Sequence, residues 1–158
     1  KNLTEPITLD TTITGNSSDD KIYSVIPSED KSHIMVFRIN TKNERRFQFK
    51  TLVYDKELSL LHSTQQLGLD MGDRNDFLTD FNVDNHGNLI FGRGVRVGNN
   101  DNITKFFLLL KPLKKDAFET RELKLENYSL DEVKLKIDNH NNRYLFTGFY
   151  YPGRKTTI

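Results

Sequence analysis

One segment of this chain occurs twice with a constant spacing. Residues 81–91 (FNVDNHGNLIF) have the pattern of a strand, a tight turn and a second strand, and residues 135–145 (LKIDNHNNRYL) have the same pattern. The two copies lie 54 residues apart, measured from Asp84 to Asp138. A constant internal period of about this size is typical of repeat arrays, in which each repeat is one small supersecondary unit.

A third and weaker copy precedes these two. Gly94 and Gly148 keep the spacing of 54 residues, and one further step back from Asp84 leads to Asp30. Asp30 also precedes an apolar run, residues 34–37, through a turn that is expected to be one residue shorter. The spacing therefore predicts three related hairpins in one chain.

Asp, Asn and Gly residues define the turn of each copy. Gly adopts a positive φ without steric cost and Asn is the next most tolerant residue, so both are favoured in tight hairpins. Where the second copy has Gly87, the third has Asn141, which preserves this property. Asp side chains can accept hydrogen bonds from the turn amides. The predicted turn residues are Asp30, Asp84, Asn85, Gly87, Asn88, Asp138, Asn139, Asn141 and Asn142.

The rest of the chain has the pattern of short strands separated by polar turns. We therefore predict a single all-β domain over residues 1–158, built from antiparallel strands in about two and a half to three four-stranded units. The units are expected at about 20–75, 76–129 and 130–158, the last one incomplete.

Two segments of the chain need separate treatment, and for the first of them a helix is the alternative. Residues 116–126 contain good helix formers, but charged residues interrupt the helical stripe, and Leu123 and Leu125 fit a period of two. A strand is therefore favoured there. Residues 68–76 are polar and are predicted to form a connection without a strand.

Composition limits the classes of function. The chain has 23 Lys plus Arg and 22 Asp plus Glu, and this balance argues against nucleic-acid binding through bulk charge. The chain has no Cys, which excludes a disulfide framework and a thiolate metal site. No apolar run approaches the ~20 residues of a membrane span. The basic cluster is interpreted as a solvated strand face and consists of Lys42, Arg45, Arg46 and Lys50.

The sequence has few features of catalytic or metal-binding motifs. His86 and His140 occupy equivalent turn positions about one repeat apart, too far apart to share a metal, so we interpret them as turn residues. Residues 82–93 lack the acidic ligands of a calcium loop, and no Gly-x-Ser-x-Gly motif is present. An acidic group in the 68–80 region is interpreted as a solvated loop, with a weak calcium site as the alternative; it consists of Asp70, Asp73, Asp76 and Asp80. We predict no catalytic residues, no metal and no cofactor.

The turns resemble those of a known class of repeat. The form Asp-x-x-Gly-Asn followed by an apolar strand is similar to the blade turns of NHL-type β-propellers, as at residues 84–88. The chain as a whole resembles poorly characterised secreted or envelope propeller-like proteins of Bacteroidetes. The resemblance implies propeller blades, and because a closed propeller needs about four or more blades, a piece of a longer protein. The alternative fold is a β-sandwich, which also has many short strands.

The functional prediction follows from the absence of catalytic motifs. We expect a non-catalytic scaffold that binds a protein partner, with no nucleic acid and no insertion into a membrane. The resemblance implies a periplasmic, extracellular or cell-surface location. The alternative is a carbohydrate-binding or carbohydrate-acting propeller domain, for which the aromatic run at residues 149–151 is the candidate recognition face.

Overall fold

A computed structural model of the chain describes residues 5–11, 23–43, 46–72, 75–96 and 102–152, with only the backbone of residues 41–43. Ten strands are found in this part of the chain: β1 (Ser24–Pro27), β2 (His33–Asn43), β3 (Arg46–Asp55), β4 (Leu60–Asp70), β5 (Phe77–Val83), β6 (Leu89–Arg96), β7 (Ile103–Lys111), β8 (Glu119–Leu123), β9 (Tyr128–Asp138) and β10 (Arg143–Pro152). The predicted all-β class is confirmed, since no helix occurs among these residues.

The strands form two antiparallel sheets. The first sheet has the order β1-β2-β3-β4, so each strand pairs with its neighbour in sequence. The second sheet has the order β10-β9-β7-β6-β5, and β8 pairs with β7 off this path. The pairing of β7 with β9 consists of the single pair Ile103 and Leu130, so the β9–β10 hairpin is joined to the sheet at one point. The prediction of antiparallel strands with short turns is confirmed.

The segment with helix-forming composition contains a strand. β8 pairs with β7 over five residues, from Leu123 opposite Phe106 to Glu119 opposite Leu110. Leu123 packs with the apolar residues around Phe106, which is the contact that a period of two provides. Pairing with an existing strand thus overrides helix propensity here.

The prediction that residues 68–76 lack a strand is wrong for their first part. β4 continues to Asp70, and Gly68 pairs with Gln48 of β3. Leu67 and Leu69 are buried while Gly68 and Asp70 are exposed. The alternation of a half-buried strand therefore continues through this segment, hidden by its polar residues.

The largest core cluster lies between the two sheets. Phe49 of β3 stacks on Phe91 of β6 at a ring-centroid distance of 5.4 Å. Phe81 of β5 contacts both Phe91 at 4.9 Å and Phe37 of β2 at 5.1 Å. Phe118, the residue before β8, meets Phe91 edge to face at 5.4 Å, so aromatic contacts join β2, β3, β5, β6 and the segment before β8.

Two smaller clusters lie on either side of this core. One contains Phe106 of β7, with Val133 of β9 buried beside it and Phe146 of β10 packed against it. The other contains Leu52 and Tyr54 of β3 and lies on the far side of the first sheet. Apolar layers therefore alternate with strands along the molecule.

Candidate functional site

Three hairpins bring their loops together at one end of the sheets. We call them the first hairpin (β1–β2), the second hairpin (β5–β6) and the third hairpin (β9–β10). Their loops are residues 29–32, 85–87 and 139–142. All nine predicted turn residues lie in these loops or at their closing pairs: Asp30, Asp84, Asn85, Gly87, Asn88, Asp138, Asn139, Asn141 and Asn142.

The second loop is fixed by one carboxylate. The Asp84 amide donates to the Asn88 carbonyl at 3.1 Å, which closes the hairpin. Asp84 Oδ1 accepts the amides of His86 at 3.0 Å and Asn88 at 2.8 Å. Gly87 has a φ of 78°, and a β-carbon there would lie 2.8 Å from the ring of His33 in the first hairpin. A glycine is thus required both by the backbone and by the neighbouring hairpin.

The first loop differs from the sequence expectation. Ser28, not Asp30, occupies the position of Asp84: the Ser28 amide donates to the His33 carbonyl at 2.8 Å, and Ser28 Oγ accepts the His33 amide at 3.0 Å. Asp30 lies inside a loop of four residues, one longer than the second loop and not one shorter. Its carboxylate accepts from Ser28 Oγ and from the Ser32 amide and hydroxyl, and these bonds lower the pKa of Asp30 to about 2.

The third loop also differs in detail. The residue with positive φ is Asn142, at 51°, whereas Asn141 was expected to replace Gly87. Asn141 instead binds the carboxylate of Asp138 through its amide at 3.1 Å and its side chain at 2.7 Å. The loop has four residues, so the left-handed position lies one residue later than in the second loop.

Side-chain oxygens of Asn residues connect the three loops. The amide of Asp30 donates to Asn85 Oδ1 at 3.2 Å, and the amide of Asn85 donates to Asn139 Oδ1 at 2.9 Å. Asn139 Nδ2 donates to the Glu29 carboxylate at 2.7 Å. The first two connections run from a loop amide to the Asn at the first loop position of the following hairpin, and we call them the loop ladder. The third connection joins the third loop back to the first.

A polar cavity of about 240 Å³ lies beside the second and third loops. Asp84 in its wall is 4% exposed, and the Tyr144 hydroxyl donates to Asp84 Oδ2 at 3.2 Å. Burial, followed by the charge of Asp84, raises the pKa of Tyr144 to about 12. The other lining residues are His86, Asn88, Ile137, Asn139, Asn142 and Arg143.

The histidines and the acidic group do not form a metal site in the described part of the chain. No cluster of three His, Asp or Glu side chains with metal-ligand spacing is found there. Asp76 pairs with Arg93, whose Nε lies 3.0 Å away, and Asp80 Oδ2 accepts the Leu135 amide at 2.8 Å. Asp73 lies outside the described residues.

The side of the first hairpin and β3 that points away from the second sheet is covered by the segment 5–11. The carbonyl of Leu9 accepts the Tyr54 hydroxyl at 2.8 Å. Asp10 accepts from Lys50 Nζ at 2.7 Å and from the Tyr23 hydroxyl at 2.7 Å. Partial burial raises the pKa of Asp10, but these hydrogen bonds outweigh burial and hold the pKa below its ordinary value. We call this segment the cap.

One side-chain position shows how differently the three hairpins are covered. The second residue after the closing pair is Met35 in the first hairpin, Ile90 in the second and Leu145 in the third. Met35 and Ile90 are 0% exposed, whereas Leu145 is 47% exposed. Three apolar residues in register thus have two different environments.

The exposed side of the third hairpin is a candidate binding surface. Because side chains alternate along a strand, Leu145, Phe149 and Tyr151 lie on one side of β10, and Phe149 is 71% exposed. β10 ends the strand order and pairs only with β9 among the described strands. A groove of about 410 Å³ runs beside Gly148 and Phe149. We define the outer face as Leu145, Thr147, Phe149 and Tyr151 of β10 with Glu132, Lys134 and Lys136 of β9.

Part of this surface is predictable from the sequence, whereas the cap is not. The run at residues 149–151 was expected as a recognition face, but Tyr150 lies on the other side, where its ring contacts Tyr128 at 5.1 Å. Leu145 was not singled out, although strand alternation from Phe149 leads to it. Nothing in the sequence signals the ion pair between Asp10 and Lys50, which are far apart in the chain.

No family model, curated protein or solved structure matches this chain. The described residues contain no helix that is long and apolar enough to cross a membrane.

Proposed function

We propose that this domain is a non-catalytic binding module that docks a protein partner on the outer face of the third hairpin. The observation that carries this proposal is the exposure of Leu145 at a position where Met35 and Ile90 are fully buried. Large exposed apolar side chains grouped beside a groove are characteristic of interaction surfaces.

The strand edge of β10 supports the same proposal. An unpaired edge presents a row of backbone donors and acceptors and can accept another strand. In the two other hairpins the corresponding strands, β2 and β6, are paired on both sides, by β1 and β3 and by β5 and β7. The third hairpin can therefore bind a partner through the backbone edge of β10 and through its exposed apolar side chains.

We propose further that the hairpins are the inner parts of successive propeller-like units, β1–β4, β5–β8 and an incomplete β9–β10. The loop ladder and the alternation of apolar layers with strands support this interpretation over a β-sandwich. A cell-envelope location stays a prediction, which fractionation of the source cells with an antibody against the domain would check.

Site-specific photo-cross-linking tests the docking proposal. A photoreactive amino acid replaces Phe149, and the control variant carries it at Leu61 of β4, which is 45% exposed in the other sheet. We expect one identified protein to cross-link at position 149 but not at 61, and to bind the purified domain. Cross-linking that does not differ between the two positions would reject the outer face as the docking surface.

The polar cavity favours a second candidate function, carbohydrate binding. Asp84, three carboxamides and the Tyr144 phenol offer both donors and acceptors for sugar hydroxyls, and Ile137 provides an apolar wall. A glycan array with the wild-type domain and with Asn142→Ala checks this. Absence of binding on the array, together with no activity against a glycosidase panel, would eliminate this candidate.

A further inference from the structure

We propose that the outer face of the third hairpin binds a β-hairpin of the partner protein, one with large apolar residues at alternate positions and an Asn at the first position of its loop. This inference rests on the proposed function and names the chemistry of the partner.

The equivalent faces of the first and second units are each covered by a hairpin. Met35 and Phe37 of the first hairpin are buried in one cluster with Val83, Leu89 and Phe91 of the second hairpin. In the next layer, Phe106 of β7 is buried against Val133 and Phe146 of the third hairpin. In both layers the covering element is a hairpin that contributes large apolar side chains from both of its strands.

The loop ladder indicates that the partner hairpin has an Asn at the first position of its loop. The Asp30 amide binds the side-chain oxygen of Asn85, and the Asn85 amide binds that of Asn139. Asn85 and Asn139 are each the first residue of their loop. A hairpin that continues this arrangement on the outer face places an Asn oxygen at the Asn139 amide.

The positive charge of Lys134 on β9 indicates an oxygen acceptor on the partner hairpin. In the second hairpin, Asp80 lies four residues before Asp84 and accepts the backbone amide of Leu135 in the covering hairpin. In the third hairpin the position four residues before Asp138 is Lys134, which is 57% exposed. Lys134 lies 3.2 Å from the Glu132 carboxylate and can donate to a further acceptor, so a carbonyl or carboxylate oxygen of the partner hairpin fits beside it.

A second copy of this chain fits the outer face poorly. The equivalent side of its first sheet is already covered by the cap, and the facing sides of its second and third hairpins are buried. Two outer faces packed on each other would bring Lys134 and Lys136 of both copies into one interface with only two copies of Glu132, so repulsion between like charges outweighs the attraction. These facts favour a separate hairpin as the occupant.

The test uses a hairpin that is known to cover such a face. The probe is a head-to-tail cyclic peptide of residues 77–94 with a fluorescent label; Phe77 pairs with Gly94, so its ends are adjacent. Cyclisation reduces the ordering cost on binding. Binding to the whole domain is measured by fluorescence anisotropy. One control peptide carries Asn85→Ala, and another carries Leu89→Ser with Phe91→Ser.

Two protein variants localise the binding. Leu145→Lys introduces a charge on the outer face, and Leu61→Lys introduces one at a residue of similar exposure, 45% against 47%, in the other sheet. We expect Leu145→Lys to weaken peptide binding at least about tenfold, Leu61→Lys to leave it unchanged, and both control peptides to bind more weakly than the probe. Thermal unfolding confirms that both variants are folded.

Several results would overturn the inference. They are no saturable binding of the cyclic peptide, equal binding to the Leu145→Lys variant, and a dimer of the domain that Leu145→Lys dissolves. Failure of this inference can be distinguished from failure of the proposed function. A partner that cross-links at position 149 while the peptide neither binds nor competes leaves the docking proposal intact and removes the hairpin as its ligand.

Discussion

The two outermost faces of this molecule both carry apolar side chains, but these are buried on one face and exposed on the other. At the first sheet, Leu52 and Tyr54 are about 5% exposed because the cap lies over them, held by the bonds of Asp10 and Leu9. At the third hairpin, Leu145 and Phe149 are 47% and 71% exposed. One outermost face is therefore covered by another segment of the chain, whereas the other leaves large apolar side chains exposed.

Truncation of the same position in the three hairpins should give the largest contrast. Met35→Ala and Ile90→Ala each remove a fully buried side chain, and we expect each to lower the free energy of unfolding by about 2–5 kcal/mol. Leu145→Ala should change it by less than about 0.5 kcal/mol, because the side chain is already half exposed. Urea denaturation followed by circular dichroism measures all three. A cost for Leu145→Ala equal to that of Ile90→Ala would show that the outer face is covered in solution.

Removal of the carboxylate from the cap should have the next largest effect. Asp10→Ala leaves the Lys50 ammonium, 13% exposed, without its partner. We expect a loss of about 2 kcal/mol, between the ~0–1 kcal/mol of a surface pair and the ~3–5 kcal/mol of a fully buried one.

The matched control lies on the outer face. Glu132 pairs with Lys134 at 3.2 Å, but both side chains are more than half exposed. Glu132→Ala should therefore change the free energy of unfolding by less than about 0.5 kcal/mol in the same urea titration. Equal losses for the two variants would contradict a cap that is packed in solution.

The loops give a smaller contrast between a covered and an uncovered hairpin. Gly87→Ala forces a left-handed alanine against the ring of His33, and we expect a loss of about 1–2 kcal/mol. Asn142 is also left-handed, but its loop is exposed, so Asn142→Ala should cost about 1 kcal/mol or less. Thermal unfolding of both variants measures the difference, and a larger loss for Asn142→Ala would contradict the role of the packing with His33.

High pH should weaken the cap through Tyr54 and the packing of the third hairpin on the second through Tyr144. The folded pKa of Tyr144 is raised to about 12 and burial also raises that of Tyr54, so both hydroxyls stabilise the fold fully below pH 10.0 and lose this effect as the pH rises. Urea titrations at pH 8 and pH 11 measure the loss, which should be smaller in Tyr54→Phe and in Tyr144→Phe. An unchanged loss in both variants would exclude these two hydroxyls as its cause.

Local chemistry made much of the fold predictable. The Asp, Asn and Gly residues at 84–88 predict a hairpin because each residue type has a specific role in a turn. In the structure, Asp84 accepts a backbone amide and Gly87 has a positive φ. The prediction failed where another residue could fill the same role. Ser28 accepts the amide of its closing partner as Asp84 does, but a fixed spacing of 54 residues points to Asp30 instead.

Contacts between distant residues were beyond prediction from the sequence. The ion pair of Asp10 and Lys50 and the bond from Asn139 to Glu29 join residues far apart in the chain. Each depends on how the sheets and the cap pack, and no local pattern carries that information.

The sequence by itself determined the all-β class, the three hairpins and the side of each strand that is apolar, because turn chemistry and alternation act over a few residues. Only the tertiary structure decided which apolar sides are covered. Met35, Ile90 and Leu145 carry similar side chains at the same hairpin position, yet Leu145 alone of the three is exposed. Burial depends on whether another segment packs against a strand, and that is a property of the whole arrangement of the chain.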